Sequence, residues 1–332
     1  MRWDIVTTAF EPTAVTLGFL AHHVDLGVNR IWLHLDAPNK ELEDIVSGHE
    51  KIKVVRCDGA YWKDSVKGKR PWDFRVRQSV NADSAMSQSD ADWIAHIDAD
   101  EYVTNAAALF AFLAQQPDQI LSIVAFNSER VHVRGQPQPH VFSGGFRVPF
   151  PRIVHRAQPL IYGRYARYLQ KGVAGYWHGK AFTRVSSGLP LALHRAELPE
   201  DVVEEDVQGR FPGRAILHFD GMTKAHWLDK LRKKVPNGKV LQPHNQARIN
   251  QAQDVWDHRD DSDYLDDLYR HVKEISGFQA LVLRLLGRMT SSGVDVPAKI
   301  KKVFPEAHVD LSPAAVDAAL MVVQAGRVPT SC

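Results

Sequence analysis

Three carboxylates fall within four residues at Asp98-Ala99-Asp100-Glu101, directly after the apolar run Trp93-Ile94-Ala95-His96-Ile97. Carboxylates this close repel one another and raise each other's pKa unless a cation lies among them. A strand end followed by Asp-X-Asp is a natural seat for Mg2+ or Mn2+. Such hard ions take carboxylate oxygens and keep coordination positions for water and phosphate. The competing reading is a solvated turn that caps the next helix, since Asp and Glu favour helix N-termini. The long apolar strand directly before the turn favours the metal.

Something must carry that turn to a rim. Residues 3–8, 30–35, 52–56 and 92–97 read as strands, and 13–26, 40–47 and 75–86 as helices, with Gly27 and Gly48 closing the first two. Strand–helix alternation with short connections means an α/β fold with a mostly parallel sheet and helices on both faces. Such sheets bind ligands beyond the carboxyl ends of their strands. Thr7 to Phe10, Asp36, Cys57-Asp58 and Asp98 to Asp100 all fall at such ends and are expected along one rim. Further on, 105–115 reads as helix, 120–127 and 215–218 as strands, and 223–234 as helix. Between them, 135–193 is rich in Pro, Gly, Arg and aromatics, the texture of long structured loops that tend to carry function. Beyond 244 the chain reads as helical, over 258–274, 277–289 and 312–325.

The chain resembles the family-2-like bacterial glycosyltransferases of the GT-A fold. The likeness rests on Asp98-Ala99-Asp100 after its strand, on His23-Val24-Asp25-Leu26-Gly27-Val28 and on Ile31-Trp32-Leu33-His34-Leu35-Asp36. Arg77-Gln78 with Asn81, Lys180 in Gly179-Lys180-Ala181-Phe182, His194, and His218 with Thr223-Lys224 extend it. The resemblance covers residues 1–105 well and 175–235 in patches. It implies a Rossmann-like GT-A domain over 1–240, with a nucleotide-binding half (1–105) and an acceptor half (106–240), followed by a helical region over 241–332. It implies a nucleotide-diphosphate sugar as donor, a saccharide or lipid-linked acceptor, and Mn2+ or Mg2+ as cofactor. The metal would be held by Asp98, Asp100 and His218, and would neutralise charge on the departing diphosphate. His194 is a second candidate ligand.

Thr8, Asp36, Arg77, Gln78, Asn81, Asp98, Lys180 and Lys224 are then expected around the nucleotide, with Arg184 as a second cation beside Lys180. For Arg77, Gln78 and Asn81 the alternative is a polar solvent face; for Asp36 and Asp58 it is an ordinary turn. An inverting transfer needs a carboxylate to take the acceptor's hydroxyl proton, and Glu129 and Asp220 are the candidates. Tyr162, Tyr165, Tyr168, Tyr176 and Trp177 are candidates for stacking on sugar rings. A nucleotidyltransferase on a similar rim and a non-catalytic carbohydrate-binding protein remain as alternatives.

Composition narrows the partners. In 332 residues, 41 Lys plus Arg against 39 Asp plus Glu leave +2, so no dedicated nucleic-acid binder is expected. Cys57 and Cys332 cannot make a disulfide framework, which suits a reducing compartment. No apolar run reaches the ~18 residues of a membrane span. Met1-Arg2-Trp3-Asp4 leads straight into a strand, so no signal peptide is expected. A cytoplasmic protein follows. Residues 224–239 hold Lys224, Lys230, Arg232, Lys233, Lys234 and Lys239 against Asp229, with Trp227, Leu228 and Leu231. They read either as peripheral contact with anionic lipid at the inner membrane face or as a solvated face with a core stripe. His22 and His23 point to different sides of one helix, which argues against a shared metal site.

Overall fold

Runs of β-branched and aromatic residues, broken at Asp, Gly and Pro, build the sheet of a computed structural model that describes residues 1–66, 68–194, 196–241 and 245–325. Its strands are β1 Trp3–Ala9, β2 Arg30–Leu35, β3 Ile52–Arg56, β4 Trp93–His96, β5 Glu101–Val103, β6 Ser122–Val133, β7 Gly145–Arg147, β8 Lys180–Arg184, β9 Gln208–His218, β10 Glu274–Ile275 and β11 Met289–Ser291. They lie in the order β11-β7-β6-β8-β4-β1-β2-β3, with β9 against β5 and β6, and β10 against β6. The expected α/β sheet with flanking helices is present. Strands β4-β1-β2-β3 are parallel. Strand β1 is buried at every residue, as a parallel strand covered on both faces must be. The other half of the sheet mixes orientations, with β8, β6, β7 and β11 joining antiparallel.

The acidic turn does not cap a helix. Glu101 opens strand β5, and the next helix starts at Ala106. Two adjacent histidines hold β5 in place. His22 Nε2 hydrogen-bonds the Val103 carbonyl at 2.6 Å, and His23 Nε2 accepts the Val103 N–H at 3.2 Å. The pair on helix Thr13–Asp25 is therefore a clamp on one residue, the two rings converging on Val103 although they are adjacent in sequence.

Helices Gly59–Val66, Gln246–Asp257 and Val296–Val303 add to those expected. Strand β6 runs twelve residues, well past Asn127, and is buried at all but one of them. The region after 240 is helical, but β10 and β11 also return it to the sheet. Helix Val296–Val303 is tied to the first helix by Lys299 and Lys302 on Asp25, both at 2.6 Å. Cys57 is buried as a free thiol, and burial pushes it up to about 12; Cys332 lies outside the described residues.

Candidate active site

Strand register assembles the site. Glu101 on β5 pairs with His218 on β9, which pairs with Glu129 on β6, which pairs with Arg147 on β7. Cross-strand partners share a face, so these four side chains form a row across four strands. The turn after β4 adds Asp98 and Asp100, and the Phe219 N–H donates to the Asp100 carbonyl at 2.8 Å. That bond brings Asp220, just past the end of β9, to the same place.

The carboxylates are met by an equal number of cations. Asp98 receives the Lys180 ammonium at 2.8 Å and the Gln78 amide at 2.6 Å, and Lys180 also reaches Glu101 at 3.1 Å. The Lys230 ammonium lies on Asp100 and stands 3.5 Å from Asp220. Arg248 meets Asp220 at 3.2 Å, and Lys273 meets it at 3.3 Å. Glu129 takes Arg147 at 2.6 Å, Lys273 at 3.4 Å and the N–H groups of Ala174 and Gly175. Asp98, Asp100, Glu101, Glu129 and Asp220 thus face Lys180, Lys230, Lys273, Arg147 and Arg248.

The electrostatics follow. Burial would raise Asp100, but Lys230 and His218 hold it well below the usual carboxylate range. Burial lowers His218, but Asp100 outweighs it and raises the imidazole. Burial, helped by Asp98 and Asp100, pushes Glu101 up to about 7 against the pull of Lys180. Glu129 is lowered to about 2, because Lys273 and Arg147 overcome its burial. Side-chain exposure marks the open side of the cluster: Asp98 is 32% exposed, Asp100 4%, and Glu101, Glu129 and Asp220 at most 1%.

Asp100, His218 and Asp220 each offer a ligand atom within 4.8 Å of the others, and all three are buried. The Nδ1 of His218 is buried without a hydrogen-bond partner. This donor set fits a divalent ion. Two carboxylates suit Mg2+ or Mn2+, and the softer imidazole tilts the set towards Mn2+. Asp98 is not in this group; its two oxygens receive Lys180 and Gln78. The sequence expected Asp98 as a ligand and Asp220 as a base. In the structure Asp220 is the carboxylate beside Asp100 and His218.

The other expected site residues fall as follows. Arg77 forks onto Asp36 at 2.8 and 2.9 Å, and Arg70 joins at 2.8 Å. Arg77 also donates to the carbonyls of Pro71 and Trp72, at 2.8 and 2.9 Å. Asn81 donates to Thr8 at 2.9 Å and accepts from Tyr61 at 2.7 Å. Arg77, Gln78 and Asn81 are all buried, so they form the inner face of helix Phe74–Met86 and not a solvated one. Asp58 caps its turn by accepting the Tyr61 N–H at 2.9 Å. Arg184 is not paired with Lys180: it donates to the carbonyls of Gln116 and Ile120 and lies over Trp93. His194 hydrogen-bonds the Gly179 carbonyl at 3.3 Å and packs on Tyr176.

Lys224 pairs with Asp266 at 2.7 Å, so the cation brought to Asp100 is Lys230 and not Lys224. A signal for Lys230 existed in the sequence. It lies three residues after Trp227, on the side of helix Lys224–Arg232 whose Trp227 and Leu231 are buried. Glu129 has every oxygen engaged and a low pKa, which suits an anchor better than a proton acceptor. Of the aromatic candidates, Tyr176 joins the site, donating to Glu101 and packing on His218. Tyr165 and Tyr168 turn to Asp267 and Asp254, and Trp177 faces Lys171. Lys273, Arg248 and Arg147 carried no local signal. The lipid contact expected through 224–239 is not what this helix offers, because Trp227, Leu228 and Leu231 are buried and Lys224, Lys230 and Lys233 are paired.

No protein-family model matches the chain, and no curated protein matches it. Among solved structures, residues 1–349 of TarS from S. aureus are 12% identical, with 99% of this chain and 93% of that one aligned at a TM-score of 0.34. HddC from Yersinia pseudotuberculosis is 10% identical over 66% of this chain and 93% of its own, at 0.33. Glucosyl-3-phosphoglycerate synthase from Mycobacterium tuberculosis, solved with Mn2+, UDP and phosphoglyceric acid, is 13% identical over 56% of each chain, at 0.30. The chain itself is a mixed α/β protein with a buried carboxylate–histidine cluster at the ends of its strands. Among the described residues no helix is long and apolar enough to cross a membrane.

Proposed function

We propose that the chain is a metal-dependent glycosyltransferase that moves a sugar from a nucleotide-diphosphate sugar to a saccharide or lipid-linked acceptor. The observation that carries this reading is the Asp100–His218–Asp220 group behind Asp98, the most exposed of the five clustered carboxylates. When bound there, a divalent ion supplies Lewis-acid neutralisation of the leaving diphosphate. Lys180 and Gln78 fix the Asp98 carboxylate at the mouth, where it accepts from hydroxyls of the donor. Thr8, Asn81 and the Asp36–Arg77 pair shape the nucleotide end of the rim. Lys230 supplies positive charge next to the diphosphate, the part the sequence assigned to Lys224. The nucleotide-binding half is residues 1–105, and the acceptor lies over the half that follows.

Thermal shift with nucleoside diphosphates, with and without Mn2+, tests binding. A ligand at 100 times its Kd adds about 2.7 kcal/mol. The expected result is a stabilisation by a nucleoside diphosphate that requires Mn2+ and is lost in Asp100→Asn. Product analysis then separates sugar transfer from pyrophosphate release. Nucleotide binding indifferent to both metal and Asp100 would count against the proposal.

A further inference from the structure

Just beyond Lys273 and β10, helix Gly277–Leu285 is apolar on both sides. Its inner side is ordinary: Ala280 and Leu283 are buried in the second core. Its outer side carries Phe278, Leu281 and Leu285, spaced three and four residues apart and so in one stripe. Phe278 is 75% and Leu285 79% exposed, and Leu286 extends the stripe. A helix with an apolar stripe on its outer side as well as its inner one has a second side to cover.

A neighbouring segment has the same character. Gln279 donates to the Ile161 carbonyl at 2.8 Å, Arg288 donates to the Pro149 carbonyl at 3.3 Å, and the Val148 N–H donates to the Arg288 carbonyl at 2.9 Å. These bonds hold the two ends of the segment 149–160, at Val148-Pro149 and at Ile161, to the helix and to Arg288 just beyond it. That segment exposes Ile153 and Leu160, each at 88%, together with Val154. Two runs of exposed aliphatic side chains joined in this way make a patch of the kind that marks an interaction surface.

The two stretches that form it carry charge of one sign. No Asp or Glu occurs between Glu129 and Glu197, or between Glu274 and Asp295. Arg152, Arg156, Arg284 and Arg288 fall in those two stretches. Two copies of this face set against each other would bring arginines against arginines. A surface of phosphates over hydrocarbon matches both features, since guanidinium groups fork onto phosphate while apolar side chains enter the headgroup–acyl boundary.

We propose that helix Gly277–Leu285 and residues 149–160 form a docking face for an anionic phospholipid surface. The inference rests on these exposed residues and not on the transferase reading, and it lies on a different element from helix Lys224–Arg232.

The test is flotation of the full chain with vesicles of phosphatidylcholine alone or with phosphatidylglycerol added. Binding is expected to the anionic vesicles, to weaken with salt, and to fall about tenfold or more in Phe278→Ser/Leu281→Ser/Leu285→Ser. Arg156→Gln/Arg284→Gln should lose binding to anionic vesicles in the same way. Because these side chains are exposed, both variants should keep the parent melting temperature, which separates lost docking from lost folding. No binding to anionic vesicles, or undiminished binding by the triple variant, would overturn the proposal. So would a concentration-dependent dimer that the triple variant disperses, since a second copy would then be the occupant.

Discussion

The Lys230 ammonium lies on the Asp100 carboxylate and stands 3.5 Å from Asp220, so a cation of the chain itself bridges two of the three groups that could hold a metal ion. The bridge neutralises buried carboxylates that would otherwise repel, and it competes with any metal for the same oxygens. Lys230→Met should therefore destabilise the metal-free protein by about 3 kcal/mol, at the low end for a buried pair because Lys230 is only partly covered. Mn2+ should restore most of that loss and should raise the melting temperature of the variant more than that of the parent. An equal shift in both proteins would mean that Lys230 and the metal do not share these oxygens.

Asp98 and Asp100 stand two residues apart but in different surroundings, and their amide variants should separate. Asp100→Asn should abolish Mn2+-dependent binding of a nucleoside diphosphate. Asp98→Asn should keep Mn2+ binding yet weaken the nucleotide-sugar, by about 1.5–3 kcal/mol or roughly tenfold to over a hundredfold, the scale of a charge-assisted contact. Titration calorimetry with metal alone and with the donor checks both. Identical behaviour of the two variants would argue that they hold one ion together.

Gly175 lets Glu129 and His218 meet. A Cβ there would lie 2.8 Å from Glu129 Oε2 and 3.1 Å from His218 Cε1, and the Gly175 N–H itself donates to Glu129. Gly175→Ala should cost about 1–3 kcal/mol, the usual range for overpacking a filled interior. It should also weaken Mn2+ binding by displacing His218. Chemical denaturation together with metal titration reads the two effects, and a variant of unchanged stability would show that the loop has room to move.

The clamp on Val103 makes the fold acid-sensitive. Burial lowers His22 from 6.5 to about 4 and, helped by His22, holds His23 well below its usual value. His23 must stay neutral for its Nε2 to accept the Val103 N–H. A folded pKa below the unfolded one means that the unfolded chain binds more protons between about 4 and 6.5. The stabilisation is therefore fully present above 6.5 and is lost as pH falls towards 4, by about 3 kcal/mol for His22. Urea midpoints at pH 7 and pH 5 should differ in that direction, and His22→Asn should flatten the dependence.

Much of the frame was legible in the sequence. The continuous apolar, β-branched and aromatic runs and the helix-spaced apolar residues between Trp3 and Ile97 are local signals, so strands β1 to β4 and the rim carrying Thr8, Asp36 and Asp98 could be read directly from them. Asp-Ala-Asp after a buried strand likewise announced an acidic centre, because burying carboxylates demands compensation wherever it occurs.

The membership of that centre was decided only by tertiary structure. Asp100 leaves Asp98 for His218 and Asp220 because β5, β9 and β6 pair in one register, and register between distant segments is a property of packing and not of any local pattern. Lys230 reaches Asp100 while Lys224 pairs with Asp266, because six residues of helix turn the two side chains to different faces. Lys273 reaches Glu129 across a separation of 144 residues. Its burial makes sense only once two carboxylates from other strands are seen to surround it, because a lone ammonium is too costly to desolvate and the chain must fold back to supply its counter-charges.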